Sequence, residues 1–109
     1  MHPDYTDPRN YLGKLYQTAI DIFVDAGDSV STAFTPAAEA MKRVSKRFSA
    51  EELAIANSEL EGLDDESYDA VVGGCRLNDE GTEFQSDSGT VTISLVTAKI
   101  LDLIFEDAE

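Results

Sequence analysis

The stretch "AVVGGCRLNDEGTEFQSDSGTVTISLV", residues 70–96, decides the fold class. "AVVGGCRL", "TEFQ" and "TVTISLV" are short, partly alternating and rich in residues that favour strands. "NDEG" and "SDSG" separate them and have the composition of turns. This pattern predicts a short antiparallel β-meander over residues 71–96, with Gly73–Gly74 marking a bulge or bend at its start.

Both flanks carry helical periodicity instead. Upstream, Leu12, Leu15, Tyr16, Ala19, Ile22, Phe23 and Ala26 recur on one stripe, with Asp7 and Pro8 as cap and first residue and Gly27 as stop. Ile20 and Val24 lie beside that stripe, so either the core wraps that far or a partner covers them. Residues 29–35 read as a linker or a short helical extension. Thr35 and Pro36 then open a second helix with Ala37, Ala40, Met41, Val44 and Phe48 inward. Ser49 and Glu52 form a capping box for a third, thinly apolar helix built on Leu53, Ala56 or Ile55, and Leu60. Downstream, "TAKILDLIFEDAE" reads as a helix with Ile100, Leu101 and Ile104 inward, although "ILDLIF" also alternates like a strand. The expected fold is α+β, a single domain over 1–109. Its helices span about 8–27, 36–48, 50–61 and 98–107, around the meander.

Charge is the strongest compositional signal. The net charge is −14, from 22 acidic and 8 basic residues. Residues 1–60 carry −3 and residues 61–109 carry −11, with Arg76 and Lys99 the only bases in the second part. Such a field repels nucleic acid and anionic membranes and attracts basic clefts. No apolar run is long enough to span a bilayer. The N-terminus lacks the basic-then-apolar order of a secretory signal, and Cys75 is the sole cysteine. The expected setting is therefore reducing, intracellular and cytoplasmic.

The acids fall in three groups. Asp21, Asp25 and Asp28 sit at i, i+4 and i+7, opposite the apolar stripe of the first helix. Glu59, Glu61, Asp64, Asp65, Glu66 and Asp69 crowd into eleven positions without a base. Asp102, Glu106 and Glu109 repeat the i, i+4, i+7 spacing on the last helix, and Glu106, Asp107 and Glu109 lie at its end, where the helix dipole disfavours negative charge. By contrast, Lys42, Arg43, Lys46 and Arg47 put half of the chain's bases near the end of the second helix, where they complement the dipole and offset the acidic body.

Catalytic and metal chemistry find little support. Aligning Gly81 with the fixed glycine of an EF-hand loop puts Arg76 at the first ligand position, and aligning Gly89 puts Phe84 there. Only a loose calcium site around Asp64–Asp69 survives that test. One Cys and one His do not build the usual zinc sites. Cys75 lies in an apolar, glycine-rich stretch and reads as a small buried filler rather than a thiolate nucleophile. The expectation is a protein that is not an enzyme and needs no cofactor or metal.

Carboxylates three or four apart on a helix have Cβ atoms about 5–6 Å apart. Phosphates on one DNA strand lie about 3.4 Å apart along the axis and farther along their helical path. The acidic rows thus approach the pitch of a phosphate row. In size and charge, though in no alignable stretch, the chain resembles the small acidic inhibitors of phages and mobile elements, among them anti-CRISPR proteins. That resemblance implies an inhibitor that mimics nucleic acid and occupies a basic nucleic-acid-binding protein or nuclease complex. Its expected contacts are Asp21, Asp25, Asp28, Glu59, Glu61, Asp64, Asp65, Glu66, Asp69, Asp102 and Glu106. Two alternatives use the same residues differently. One is an immunity protein against a nuclease toxin; the other is a structural adaptor assembling through an Ile20–Val24 edge, its acidity serving solubility. The mixture of one basic helix with acidic faces also permits a homo-oligomer.

Overall fold

The computed structural model describes residues 13–108, and within them the architecture is α+β. The Asp7–Pro8 helix start, Leu12, His2 and Glu109 lie outside the described residues. The elements are α1 Gly13–Asp25, α2 Val30–Arg47, α3 Ala50–Glu61, α4 Asp65–Gly73, β1 Glu83–Ser86, β2 Gly89–Thr92 and α5 Leu95–Ala108.

α1 buries Leu15, Ala19, Ile22 and Phe23, as its apolar stripe requires. Ile20 is buried too and Val24 is half-buried against the same cluster, so the chain's own core wraps to this edge. Ala26 falls beyond the helix end and is exposed. Gly27, at φ 121°, ends the helix: its N–H donates to the Val24 carbonyl and the Asp28 N–H to the Phe23 carbonyl.

α2 begins at Val30, earlier than Thr35–Pro36 suggested. Ser29 and Thr32 form a reciprocal capping box: the Ser29 N–H donates to Thr32 Oγ1 at 3.0 Å and the Thr32 N–H to Ser29 Oγ at 3.2 Å. Pro36 therefore lies inside the helix, where its missing N–H removes one backbone bond. The Ser29 box and the burial of Ala33 and Ala37 hold the extra turns despite that loss. α3 follows its predicted Ser49–Glu52 box, with Leu53, Ala56 and Leu60 inward and Ile55 outward.

The expected meander is smaller than its sequence suggested. "AVVGG" belongs to α4, which buries Ala70, Val71 and Val72 and ends where Gly74 turns left-handed at φ 72°. The glycine pair is thus a helix terminus rather than a β-bulge. The first of three expected strands shrinks to an isolated bridge between Arg76 and Phe84. What remains is a hairpin, β1–β2, paired Glu83↔Thr92 through Ser86↔Gly89. Asn78 holds the preceding turn by accepting the N–H groups of Thr82 and Glu83. Cys75 is exposed, not a core filler, because the chain leaves α4 outward at Gly74.

α5 starts at Leu95, where Ser94 accepts the Thr97 N–H, and buries Thr97, Ala98, Ile100, Leu101, Leu103 and Ile104. Burial on most of its circumference explains why its pattern also resembled a strand. α5 packs against α1, α2 and α3, while α4 joins α1 to the hairpin. No helix among the described residues is long and apolar enough to cross a membrane.

Candidate partner-binding surface

Two acidic stretches far apart in sequence meet at Tyr68. Its hydroxyl donates to the half-buried Asp21 carboxylate, which also accepts Gln17 Nε2 at 2.9 Å. Lys14 Nζ stands 3.9 Å from the centroid of the Tyr68 ring. Burial, and then the hydrogen bond to Asp21, push the Tyr68 hydroxyl well above its ordinary pKa, so it remains a donor. This contact ties α4 to α1 and brings the 64–69 cluster alongside Asp21; the expected helical row of Asp21, Asp25 and Asp28 stops at Asp25, because α1 ends there and Asp28 follows the Gly27 turn.

Asp25, Asp65, Glu66 and Asp69 near this join, and Asp28 beyond the end of α1, are exposed and form no ion pair within the described residues; Lys14 is the base set among them over Tyr68. Asp64 caps α4: its Oδ1 accepts the Ser67 N–H at 2.8 Å, and this bonding with Ser67 holds its pKa below the usual value. Asp65 and Glu66 occupy the first turn of α4, where the helix dipole favours them. Among the described residues no group of three or more acids, His or Cys converges into a metal-sized cluster.

The other expected contacts do structural work within the chain. Glu59 Oε1 accepts Ser94 N–H at 2.8 Å and Ser94 Oγ at 3.2 Å, fixing α3 to the start of α5. Glu61 accepts Asn57 Nδ2 at 2.8 Å, and Asn57 Oδ1 in turn takes the Leu15 N–H at 2.9 Å. Asp102 is paired with Arg76, and Glu106 with Arg43 at 3.4 Å; Arg43 also pairs with Asp107. Glu106 and Asp107, which the dipole disfavours at the end of α5, are therefore answered by a base from α2.

Arg76 is held from several sides. Its guanidinium carbon lies 5.2 Å from the Phe105 centroid and 5.8 Å from that of Phe84, a geometry that favours a cation over each ring. Gly81, at φ 73°, leaves the room it needs, since a Cβ there would lie 2.5 Å from Arg76 Nη1. Arg76, Asp102, Phe105 and Glu106 line an open cleft of about 470 Å³ beside Gly73 and Gly74. Its charges are of both signs.

Sequence reasoning missed Tyr68 and the two internal counterions. An aromatic residue set among acids in "ESYD" was the available signal for the first. Arg43 and Glu106 stand 63 residues apart, and no local pattern announces such a pair. Compared with known proteins, the chain matches no family model, no curated protein and no solved structure.

Proposed function

We propose that this chain is a non-enzymatic acidic binding protein that blocks a basic, nucleic-acid-binding surface of another protein, with the α1–α4 face as the contact. The reading rests on one observation: the Tyr68–Asp21 contact joins two acidic stretches whose Asp25, Asp28, Asp65, Glu66 and Asp69 are exposed with no ion pair among the described residues, an excess of acid that Lys14 at the join does not balance. An excess of exposed negative charge raises the rate of encounter with a basic cleft and selects against acidic partners. Glu59, Asp102 and Glu106 leave the proposed contact set, because Ser94, Arg76 and Arg43 already engage them. An inhibitor of the anti-CRISPR kind and an immunity protein for a nuclease are the two biological settings that fit this chemistry. The adaptor reading loses its proposed edge, since Ile20 belongs to the core.

The test is capture of a basic protein from the native host, followed by titration of the complex with salt and with duplex DNA. Binding is expected to weaken steeply with salt and to be displaced by DNA. Replacing Asp25, Asp28, Asp65, Glu66 and Asp69 together by Asn or Gln is expected to abolish it, and Asp102→Asn to leave it intact. A complex indifferent to salt and to the five replacements would refute the reading.

A further inference from the structure

Among the described residues β2 presents an open sheet edge. In β1, the Gln85 N–H donates to the Cys75 carbonyl at 2.7 Å, and the Glu83 carbonyl accepts the Leu77 N–H at 2.9 Å. Residues 83 and 85 thus face the 75–77 segment, and alternation turns 82, 84 and 86 toward β2. The Ile93 N–H, which donates to the Thr82 carbonyl at 2.8 Å, agrees with that assignment. On β2 the inward set is therefore 89, 91 and 93, and the N–H and C=O groups of Thr90 and Thr92 point away from β1. Both residues are exposed, and among the described residues β2 has no second neighbour in the sheet.

Unpaired edges usually carry a lysine, a proline or a bulge that blocks further pairing. This one carries none. Residues 88–98 are the longest uncharged stretch of the chain, and they include the exposed Leu95. Two copies at −14 each repel, so a neutral edge is where they approach at least cost. The edge is also self-complementary. A two-fold axis at Val91 sets Thr90 opposite Thr92 of the second copy, and Thr92 opposite its Thr90. The outward groups of each such pair then exchange both backbone hydrogen bonds, and the threonine side chains pair across the strands.

We infer that β2 is a homodimerisation edge, joining two copies into a continuous four-stranded antiparallel sheet through isologous Thr90–Val91–Thr92 pairing. A four-residue edge belongs to the small, weak class of interface. Net repulsion between the copies gives the dimer a distinctive salt response: it tightens as salt screens the charge. The acidic-surface complex has the opposite response, so the two proposals fail independently.

The experiment is sedimentation equilibrium of the full chain across protein concentration, from about 0.01 M to about 1 M salt, where the screening length falls from about 30 Å to about 3 Å. The wild-type chain is expected to move from monomer toward dimer as either rises. Thr92→Lys places like charges across the two-fold and is expected to weaken dimerisation by about tenfold or more. Thr90→Pro, which removes an outward donor and no β1–β2 bond, is expected to act alike, with circular dichroism confirming that each variant is folded. In the wild-type chain the Thr90 and Thr92 amides are expected to exchange more slowly at high concentration. A monomer under all conditions would overturn the inference. So would a dimer unaffected by Thr92→Lys, or one in which these two amides gain no protection.

Discussion

The Tyr68 hydroxyl and the Asp21 carboxylate share a hydrogen bond across the α4–α1 contact, 47 residues apart in the chain. Because Asp21 is half-buried, removing its donor leaves a carboxylate with less solvation than it needs. Tyr68→Phe is expected to lower stability by about 1–3 kcal/mol, the usual range for a hydrogen bond to a charged group. Urea denaturation checks this as a lower midpoint at unchanged slope. Asp21→Asn keeps an acceptor and is expected to cost less.

The same contact predicts an alkaline limb in stability. Tyr68 has a folded pKa raised above the unfolded value of 10.0, so the folded state holds its proton more tightly. Its contribution is complete below about pH 10 and is lost as pH rises beyond it. Tyr68→Phe is expected to flatten that part of a pH–stability profile. At the acid end the sign is reversed. Asp64 has a pKa lowered from 3.8 by its bonding with Ser67, so its contribution is present above that value and lost as pH falls below it. Asp64→Ala is expected to remove that acid dependence and to reduce the helicity of α4, measured by chemical-shift titration and by Ser67 amide exchange.

Glu59 separates folding from binding. Glu59→Ala leaves the half-buried Ser94 N–H without its acceptor and is expected to cost about 1–3 kcal/mol in thermal or urea unfolding. Glu59→Gln keeps an oxygen for Ser94 while removing the charge, and is expected to retain most of that stability. If Glu59→Gln weakened capture of a basic partner as strongly as the Asp25–Asp28 replacements, Glu59 would belong to the contact face after all.

Gly81→Ala tests the Arg76 cluster. The left-handed φ and the 2.5 Å approach to Arg76 Nη1 both oppose a Cβ. The change is expected to destabilise by more than about 1 kcal/mol and to displace Arg76 from Asp102. Gly27→Ala, where φ is 121° but no atom lies within 4 Å, is expected to carry only the backbone strain. Comparing the two unfolding midpoints isolates the steric share.

Neutralising Asp25, Asp28, Asp65, Glu66 and Asp69 is expected to leave stability nearly unchanged or slightly raised. These carboxylates are exposed; relief of mutual repulsion is set against loss of the favourable Asp65 and Glu66 placement at the α4 N-terminus, and both effects weaken with salt. A rise in melting temperature that shrinks as salt is added would show that the repulsion prevails.

The sequence by itself determined what depends on near neighbours. The Ser49–Glu52 box, the Gly27 stop, the stripe of α1 and the turns around β1 and β2 were legible because their partners lie within a few residues. The excess of acid was legible as a count. Tertiary structure alone decided which acids find a partner among the described residues. Arg43, Arg76, Ser94 and Tyr68 each reach a carboxylate distant in the chain, so an acidic row on paper becomes an ion pair, a cap or an open surface according to what packs beside it. It also decided that "AVVGG" is helical. Val71 and Val72 favour strands locally, but burial against the core, with Asp64 capping one end and Gly74 closing the other, outweighs a preference worth only about 1 kcal/mol across its whole scale.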